Sequence, residues 1–195
     1  MLFADIVGFT HMAERIMPEA VVAMLRRFHE RMTAEIFACG GTVEKYIGDA
    51  IFAVFGLPNA GGPADAANAL DRADRMLAAL DGWNRERTRQ GEPALAIGLG
   101  LNYGPAVIGD VGSEHGLSFT VIGDMVNIAH RLQGLTRTLA TPLVVGDALV
   151  AAARAAPSPQ TEAILARLED RGGQTLRGRS APVRAWTRLK DVKGR

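Results

Sequence analysis

The chain has 195 residues, of which 48% are hydrophobic, and a mean hydropathy of +0.07, which favours one folded domain over 1–195 and argues against general disorder. Its net charge of +1 balances 22 basic against 21 acidic residues, which argues against a broad charged surface for nucleic acid or anionic lipid. Cys39 is the only cysteine, so an internal disulfide and a thiolate metal site are excluded, and a reducing, cytoplasmic location fits.

Membrane and export signals are absent from the sequence pattern. No apolar run reaches the length of a membrane span, and Asp5 interrupts the first apolar stretch, so we expect neither membrane insertion nor a signal peptide. The chain begins inside what the pattern predicts to be a core strand. We therefore expect either a piece of a longer polypeptide, which could carry an upstream regulatory domain, or a start site that trims the first strand.

The first segment, 1–7, is apolar except for Asp5 and predicts a buried strand. A carboxylate inside such a strand must be paired or must bind a metal, although Asp5 taken alone could also cap a neighbouring loop. Gly8, Phe9 and Thr10 follow at once. A glycine-led turn that runs from a strand into a helix can offer backbone N–H groups to a phosphate.

A long amphipathic helix is predicted from Pro18 to the Gly40-Gly41 pair. His29 lies among charged residues on this helix, and we expect it to be solvated. The apolar residues that recur at helical spacing are Val21, Leu25, Phe28, Met32 and Ile36.

The segment 42–56 predicts a β-hairpin with strands 42–47 and 51–55 joined by a tight turn at Gly48-Asp49. Because side chains alternate along a strand, Val43, Lys45 and Ile47 are expected on one face. In an isolated hairpin, Lys45 and Asp49 would be an ordinary strand residue and an ordinary turn residue.

The rest of the chain alternates further helices and strands. On the helix that starts at Gly123-Asp124, Asn127 and Arg131 are four residues apart and share a face. The other predicted elements are a helix from about Asp65, strands at 94–102, 106–111, 117–122 and 142–145, a helix at 147–156, a linker at 157–160, a hairpin of 164–169 with 174–177, and a strand at 183–189.

This order predicts an α/β fold with a ferredoxin-like βαββαβ palm, which is an antiparallel-type sheet with helices on one face. The palm would occupy 1–146, and 147–195 would form a C-terminal α/β extension.

Three segments together closely resemble the catalytic domain of class III nucleotidyl cyclases, the adenylyl and guanylyl cyclases. They are FADIVGFT at 3–10, EKYIGDAIF at 44–52 and FTVIGDMVNIAHRL at 119–132, with further support from LRGRSAPVRAW at 176–186. The resemblance covers 1 to about 146 and extends more loosely to 189. It implies that a ribose 3′-hydroxyl attacks the α-phosphate of a nucleotide and that pyrophosphate leaves.

The same resemblance assigns the reacting groups. Asp5 and Asp49, with the carbonyl of Ile6, match the ligands of two divalent ions, Mg²⁺ or Mn²⁺, which would activate the hydroxyl and neutralise the triphosphate. Asn127 matches the residue that orients the ribose, and Arg131 the one that stabilises charge on the α-phosphoryl group. The loop Gly8, Phe9 and Thr10 matches a loop whose backbone amides bind phosphate.

Under the same resemblance, two positions imply whether the nucleotide carries adenine or guanine. Lys45 matches a lysine that donates to adenine N1, where guanylyl cyclases have a glutamate, and a lysine cannot accept a hydrogen bond. Thr120 stands where aspartate is common, and because a hydroxyl can donate as well as accept, we expect weaker exclusion of GTP. Pro105 replaces an arginine of the mammalian domains that holds the terminal phosphates, and Arg177 or Arg179 could supply that charge.

The same resemblance also implies how copies of the chain would assemble. In the family the metal-binding aspartates come from one protomer, and the base, ribose and transition-state residues from the other. The resemblance therefore implies an ATP-binding, head-to-tail homodimer of this chain. The alternatives are a non-catalytic nucleotide-sensing or dimerisation module, favoured by Thr120 and Pro105, and a diguanylate cyclase or polymerase-like palm, for which the GGDEF-type signature is missing.

Overall fold

A computed structural model describes residues 1–57, 61–111 and 119–189. Part of the predicted strand 117–122 lies outside the described residues. The strands are β1 (Leu2–Ile6), β2 (Thr42–Ile47), β3 (Ala50–Val54), β4 (Ile97–Leu101), β5 (Val107–Asp110), β6 (Phe119–Ile122), β7 (Leu143–Gly146), β8 (Leu168–Gln174) and β9 (Val183–Arg188). The helices are α1 (Phe9–Ala13), α2 (Pro18–Phe37), α3 (Pro63–Arg89), α4 (Asp124–Thr138), α5 (Asp147–Arg154) and α6 (Pro159–Leu165).

The main sheet has seven strands in the order β2-β3-β1-β4-β7-β9-β8, and β5 and β6 form a separate two-stranded sheet. The neighbours from β2 to β4 are all antiparallel, as a βαββαβ palm requires, while β4 and β7 are parallel. The strands β7, β9 and β8 continue the sheet as an antiparallel extension. The predicted fold class is therefore confirmed.

The helices lie on both faces of this sheet. The helices α2, α3 and α5 bury Leu2, Ala4 and Ile6 of β1 on one face, whereas α4 covers Phe3 and its neighbours on the other. The expectation of helices on one face holds for α2 and α3 of the palm and is wrong for α4. The apolar stripe of α4 showed that it packs on something, but not on which face.

Two glycines explain how closely α4 approaches the sheet. A Cβ atom added at Gly100 would collide with the backbone of Ala129 and Gln133, and one at Gly98 would collide with Thr136. Only residues without a side chain let β4 and the helix approach to this distance.

A β-bulge interrupts the first strand of the hairpin. Val43 pairs with Ala53, but Lys45 pairs with Phe52, so Glu44 is an extra residue with no partner of its own in the ladder. Val43 consequently faces the α2 side, and Lys45 the α4 side. The prediction that Val43, Lys45 and Ile47 share a face is wrong because strict alternation fails at the bulge.

Two further expectations are corrected. His29 is half-buried rather than solvated, since its ring packs 4.4 Å from that of Tyr46, and burial lowers its pKa. The predicted hairpin of 164–169 with 174–177 is replaced by helix α6, which Ser158 caps by accepting from the Thr161 N–H, and by the single strand β8.

Among the helices of the described ranges, none combines the length and the apolar character that crossing a bilayer would require.

Candidate active site

The two predicted metal ligands come together at one end of the palm. Asp5 follows Phe3 by two residues on β1 and so lies on the α4 face. Asp49 stands in the turn between β2 and β3, where its Oδ2 accepts a hydrogen bond of 3.1 Å from the Ile6 N–H. Burial raises the pKa of the Asp5 carboxyl to about 7, and a hydrogen bond and charge repulsion from Asp49 add to the effect.

The donor chemistry of this pair fits a divalent cation. Both groups are hard carboxylate oxygens, which Mg²⁺ and Mn²⁺ prefer. Burial beside Asp49 disfavours the charged form of Asp5, and a cation bound there would offset that cost. No group of three His, Cys, Asp or Glu side chains suited to a metal occurs in the described residues.

Arg137 is part of this site, and the sequence did not predict it. Its Nη2 lies 3.2 Å from Asp5 Oδ2 and lowers the pKa of that carboxyl against the larger raising effects. The side chain of Arg137 is 60% exposed. This cation therefore occupies one oxygen of a predicted metal ligand, on the solvent side.

The two predicted base-reading residues also meet, in a second cluster. Lys45 Nζ lies 3.3 Å from Thr120 Oγ1, which places the β2 bulge beside β6. Glu44, which the sequence did not single out, joins them: Thr120 Oγ1 donates to Glu44 Oε1 over 2.6 Å, and Lys45 Nζ is 3.2 Å from the same oxygen. The bulge turns Glu44 and Lys45 to the same side, and periodicity gave no signal for it.

Helix α4 holds Asn127 and Arg131 away from the acidic pair of its own chain. Asn127 is exposed, and Arg131 is half-buried with its guanidinium against Gly178. Arg131 and Arg137 are separated on the helix by about 120° and roughly 9 Å. Since Arg137 contacts Asp5, α4 turns Arg131 in a different direction.

The predicted phosphate-binding groups lie at two separate places. Gly8 adopts φ +72° before the short helix α1, Thr10 is exposed, and Phe9 packs into the core, so this loop can offer only backbone amides and one hydroxyl. Arg179 pairs with Asp124 at the first residue of α4, and Arg177 is exposed. The length of α4 puts Arg179 roughly 20 Å along the helix from Arg137.

An apolar surface lies on the two-stranded sheet that carries Thr120. Val107 of β5 and Ile122 of β6 pair across the ladder, so they share a face, and they are 68% and 47% exposed. We call these two residues the β5–β6 surface. Exposed β-branched side chains grouped on one small sheet are typical of a surface that another protein covers.

Comparison with known proteins gives cyclases both for the family model and for individual relatives. Residues 1–143 match the family model described as the adenylate and guanylate cyclase catalytic domain. The chain is 38% identical over 154 residues to an adenylate cyclase of Anabaena cylindrica, covering 77% of this chain and 30% of that protein. It is 33% identical over 153 residues to adenylate cyclase 1 of Rhizobium meliloti (strain 1021), covering 77% of this chain and 22% of that protein.

Solved structures agree in fold. The adenylyl cyclase CyaB from P. aeruginosa superposes with a TM-score of 0.82 at 25% identity, over 98% of this chain and 93% of that one. The guanylyl cyclase Cya2 superposes with a TM-score of 0.79 at 28% identity, over 99% of this chain and 93% of that one. The chain therefore belongs to the adenylate and guanylate cyclase catalytic domain family, which confirms the family resemblance.

Proposed function

We propose that this chain converts ATP to 3′,5′-cyclic AMP and pyrophosphate at sites shared by two copies of itself, on the cytoplasmic side of a membrane or free in the cytoplasm. The observation that carries the proposal is the Asp5–Asp49 pair, because burial and the neighbouring Asp49 penalise the charge of Asp5 and a bound cation would offset that cost. The chain spans less than a third of the two curated relatives, so the proposal concerns the catalytic domain.

In the reaction, the ribose 3′-hydroxyl gives up its proton to solvent, and its oxygen forms a bond to the α-phosphorus as the bond to the leaving pyrophosphate oxygen breaks. Two Mg²⁺ or Mn²⁺ ions, when bound, lower the pKa of the hydroxyl and neutralise the triphosphate. Asp5 and Asp49 would hold them, with the Ile6 carbonyl. Arg131 then donates to the charge that develops on the α-phosphoryl oxygens, and Asn127 orients the ribose.

The phosphate chain would lie against Gly8 to Thr10, where Gly8 and Thr10 are exposed and the short helix α1 begins. Of the two arginines considered for the terminal phosphates, Arg177 is exposed and could reach them in an assembled dimer. Arg179 is engaged by Asp124, so its contribution would require that ion pair to open.

Lys45 supports ATP as the substrate. Its ammonium donates to the acceptor at adenine N1, whereas guanine presents an N1–H donor there. A donor left facing a donor costs about 1–3 kcal/mol, which corresponds to roughly tenfold to a hundredfold preference for ATP.

A homodimer is supported by the direction of Arg131. Since α4 turns Arg131 away from the Asp5 of its own chain, that Asp5 would meet Arg131 of a second copy. One chain holds both sets of groups, so two-fold symmetry completes two sites. The β5–β6 surface offers apolar contact area for that assembly.

The test is the product formed from ATP and from GTP with Mg²⁺ and with Mn²⁺, at protein concentrations where sedimentation shows dimers. We expect cyclic AMP, and none from Asp49→Ala or Arg131→Ala alone. Mixing the two variants should restore roughly one good site per mixed dimer. No rescue would refute the shared site, and no cyclic AMP from the wild type would favour a non-catalytic nucleotide-sensing module.

A further inference from the structure

We propose that Glu44 is a specificity-determining residue, which holds the hydroxyl proton of Thr120 so that Thr120 can only accept a hydrogen bond from the base. This inference rests on the proposed nucleotide site and concerns how that site tells adenine from guanine.

The proton position follows from the chemistry of the partners. A carboxylate has no proton to donate, so the 2.6 Å contact between Thr120 Oγ1 and Glu44 Oε1 must use the hydroxyl proton. An ammonium cannot accept, so Lys45 also donates to this oxygen across 3.2 Å. Two donors on one oxygen is the arrangement that an ionised carboxylate favours.

The surroundings keep Glu44 in this role. Its side chain is only 10% exposed, and within the described residues its Oε2 is buried with no hydrogen-bond partner. Little water therefore reaches the carboxylate, and an acceptor with little solvent around it binds its donors more strongly.

With its proton committed, Thr120 has only lone pairs to offer. One accepts from Lys45 Nζ at 3.3 Å, and the other remains for a ligand. Lys45 uses two of its three N–H groups for its contacts with Thr120 and Glu44. Its side chain is 43% exposed, so the third N–H group remains for a ligand. The cluster thus presents one acceptor and one donor to a base.

Adenine is complementary to this acceptor and this donor, whereas guanine presents the wrong group to each of them. Adenine carries an amine donor at C6 and an acceptor at N1, while guanine carries a carbonyl acceptor and an N–H donor in the same places. The sequence led us to expect that a threonine hydroxyl would weaken the exclusion of GTP. In this structure Glu44 removes that freedom, so Thr120 acts as the aspartate of other family members is expected to act.

The decisive experiment compares Glu44→Gln with the wild type. An amide can donate to Thr120 as well as accept from it, so the hydroxyl proton is released. We expect the ratio of kcat/KM for ATP to that for GTP to fall roughly tenfold, with part of the change arising from faster use of GTP. Glu30→Gln, an exposed glutamate on α2, is the matched control and should leave the ratio unchanged.

A double-mutant cycle separates the two neighbours of Glu44. Thr120→Val should lower the ratio by a similar factor, and Glu44→Gln added to it should change the ratio by less than about twofold. If Glu44→Gln lowered the ratio as much in Thr120→Val as in the wild type, Glu44 would act through Lys45 alone, which would overturn the proposal. If Glu44→Gln fails to fold, an unchanged ratio in Thr120→Val overturns it instead.

Binding measurements keep this inference apart from the proposed activity. Calorimetry with 3′-deoxy-ATP and 3′-deoxy-GTP, which cannot cyclise, measures the same discrimination without turnover. A wild type that prefers the adenine analogue but makes no cyclic AMP would refute the activity alone. An unchanged binding ratio in folded Glu44→Gln would refute the role of Glu44.

Discussion

Replacing Asp5 by asparagine should stabilise the metal-free chain at alkaline pH, although it removes a group on which the proposed activity depends. The Asp5 side chain is 22% exposed and lies beside Asp49, and burial with this neighbour raises its pKa from 3.8 to about 7. The folded chain therefore holds the proton of Asp5 more tightly than the unfolded chain does. Asparagine keeps the shape of the side chain and loses the charge.

The sign of the pH dependence follows from this difference. A carboxyl whose pKa is raised on folding contributes stability that is complete below its unfolded value of 3.8 and is lost as the pH rises through about 7. A change of that size corresponds at most to roughly 4 kcal/mol. Because Asp5 is partly exposed and Arg137 offsets its charge, we expect Asp5→Asn to gain about 1–2 kcal/mol at pH 8.

Urea unfolding in EDTA, followed by the fluorescence of Trp83 and Trp186, measures the gain. The difference between Asp5→Asn and the wild type should be small near pH 4 and should grow up to pH 8. Asp81→Asn, which removes an exposed carboxylate on α3, is the control and should show no such trend. Added Mn²⁺ should stabilise the wild type and not Asp5→Asn.

Two results would refute this reasoning. If Asp5→Asn were no more stable than the wild type at pH 8 in EDTA, neither burial nor Asp49 would penalise the charge of Asp5 in the fold. If Mn²⁺ stabilised both proteins equally, Asp5 would not be a metal ligand.

Two further predictions concern α4. Arg137→Ala removes the guanidinium that competes for Asp5, so calorimetry should show Mn²⁺ binding tightened by up to about fivefold; weaker binding would mean that Arg137 helps to hold the site. Gly100→Ala should lower the free energy of unfolding by about 1–3 kcal/mol, because its Cβ meets the helix backbone. Gly109→Ala, where a Cβ meets nothing within 4 Å, is the control, and an equal loss in both variants would contradict the close packing of α4.

The two acidic residues could be placed from local signals, one carboxylate in a buried strand and one in a tight turn. That they meet at one site was implied by the family resemblance and not by the pattern. The pattern placed Asp5 on β1 and Asp49 in the β2–β3 turn, and the structure joins them through the Ile6 N–H. The contact with Arg137 depends on which face α4 covers, and the apolar stripe of a helix does not contain that information.

The C-terminal extension shows a different limit of prediction from the sequence. Ile164 and Leu165 suit a strand as well as a short helix, and short apolar segments are ambiguous by periodicity alone. The helix start was nevertheless readable, because Ser158 before Pro159 is a typical cap followed by a typical first residue.

The bulge in β2 has a consequence for how such a domain could change over time. Val43 pairs with Ala53 and Lys45 with Phe52, so the ladder on either side of Glu44 would close into regular pairing if Glu44 were deleted. The palm would keep its core, and the turn would keep Asp49. Glu44 is thus an insertion that the sheet does not need, and its contribution to base discrimination could be acquired or discarded by one codon while the ladder stays intact.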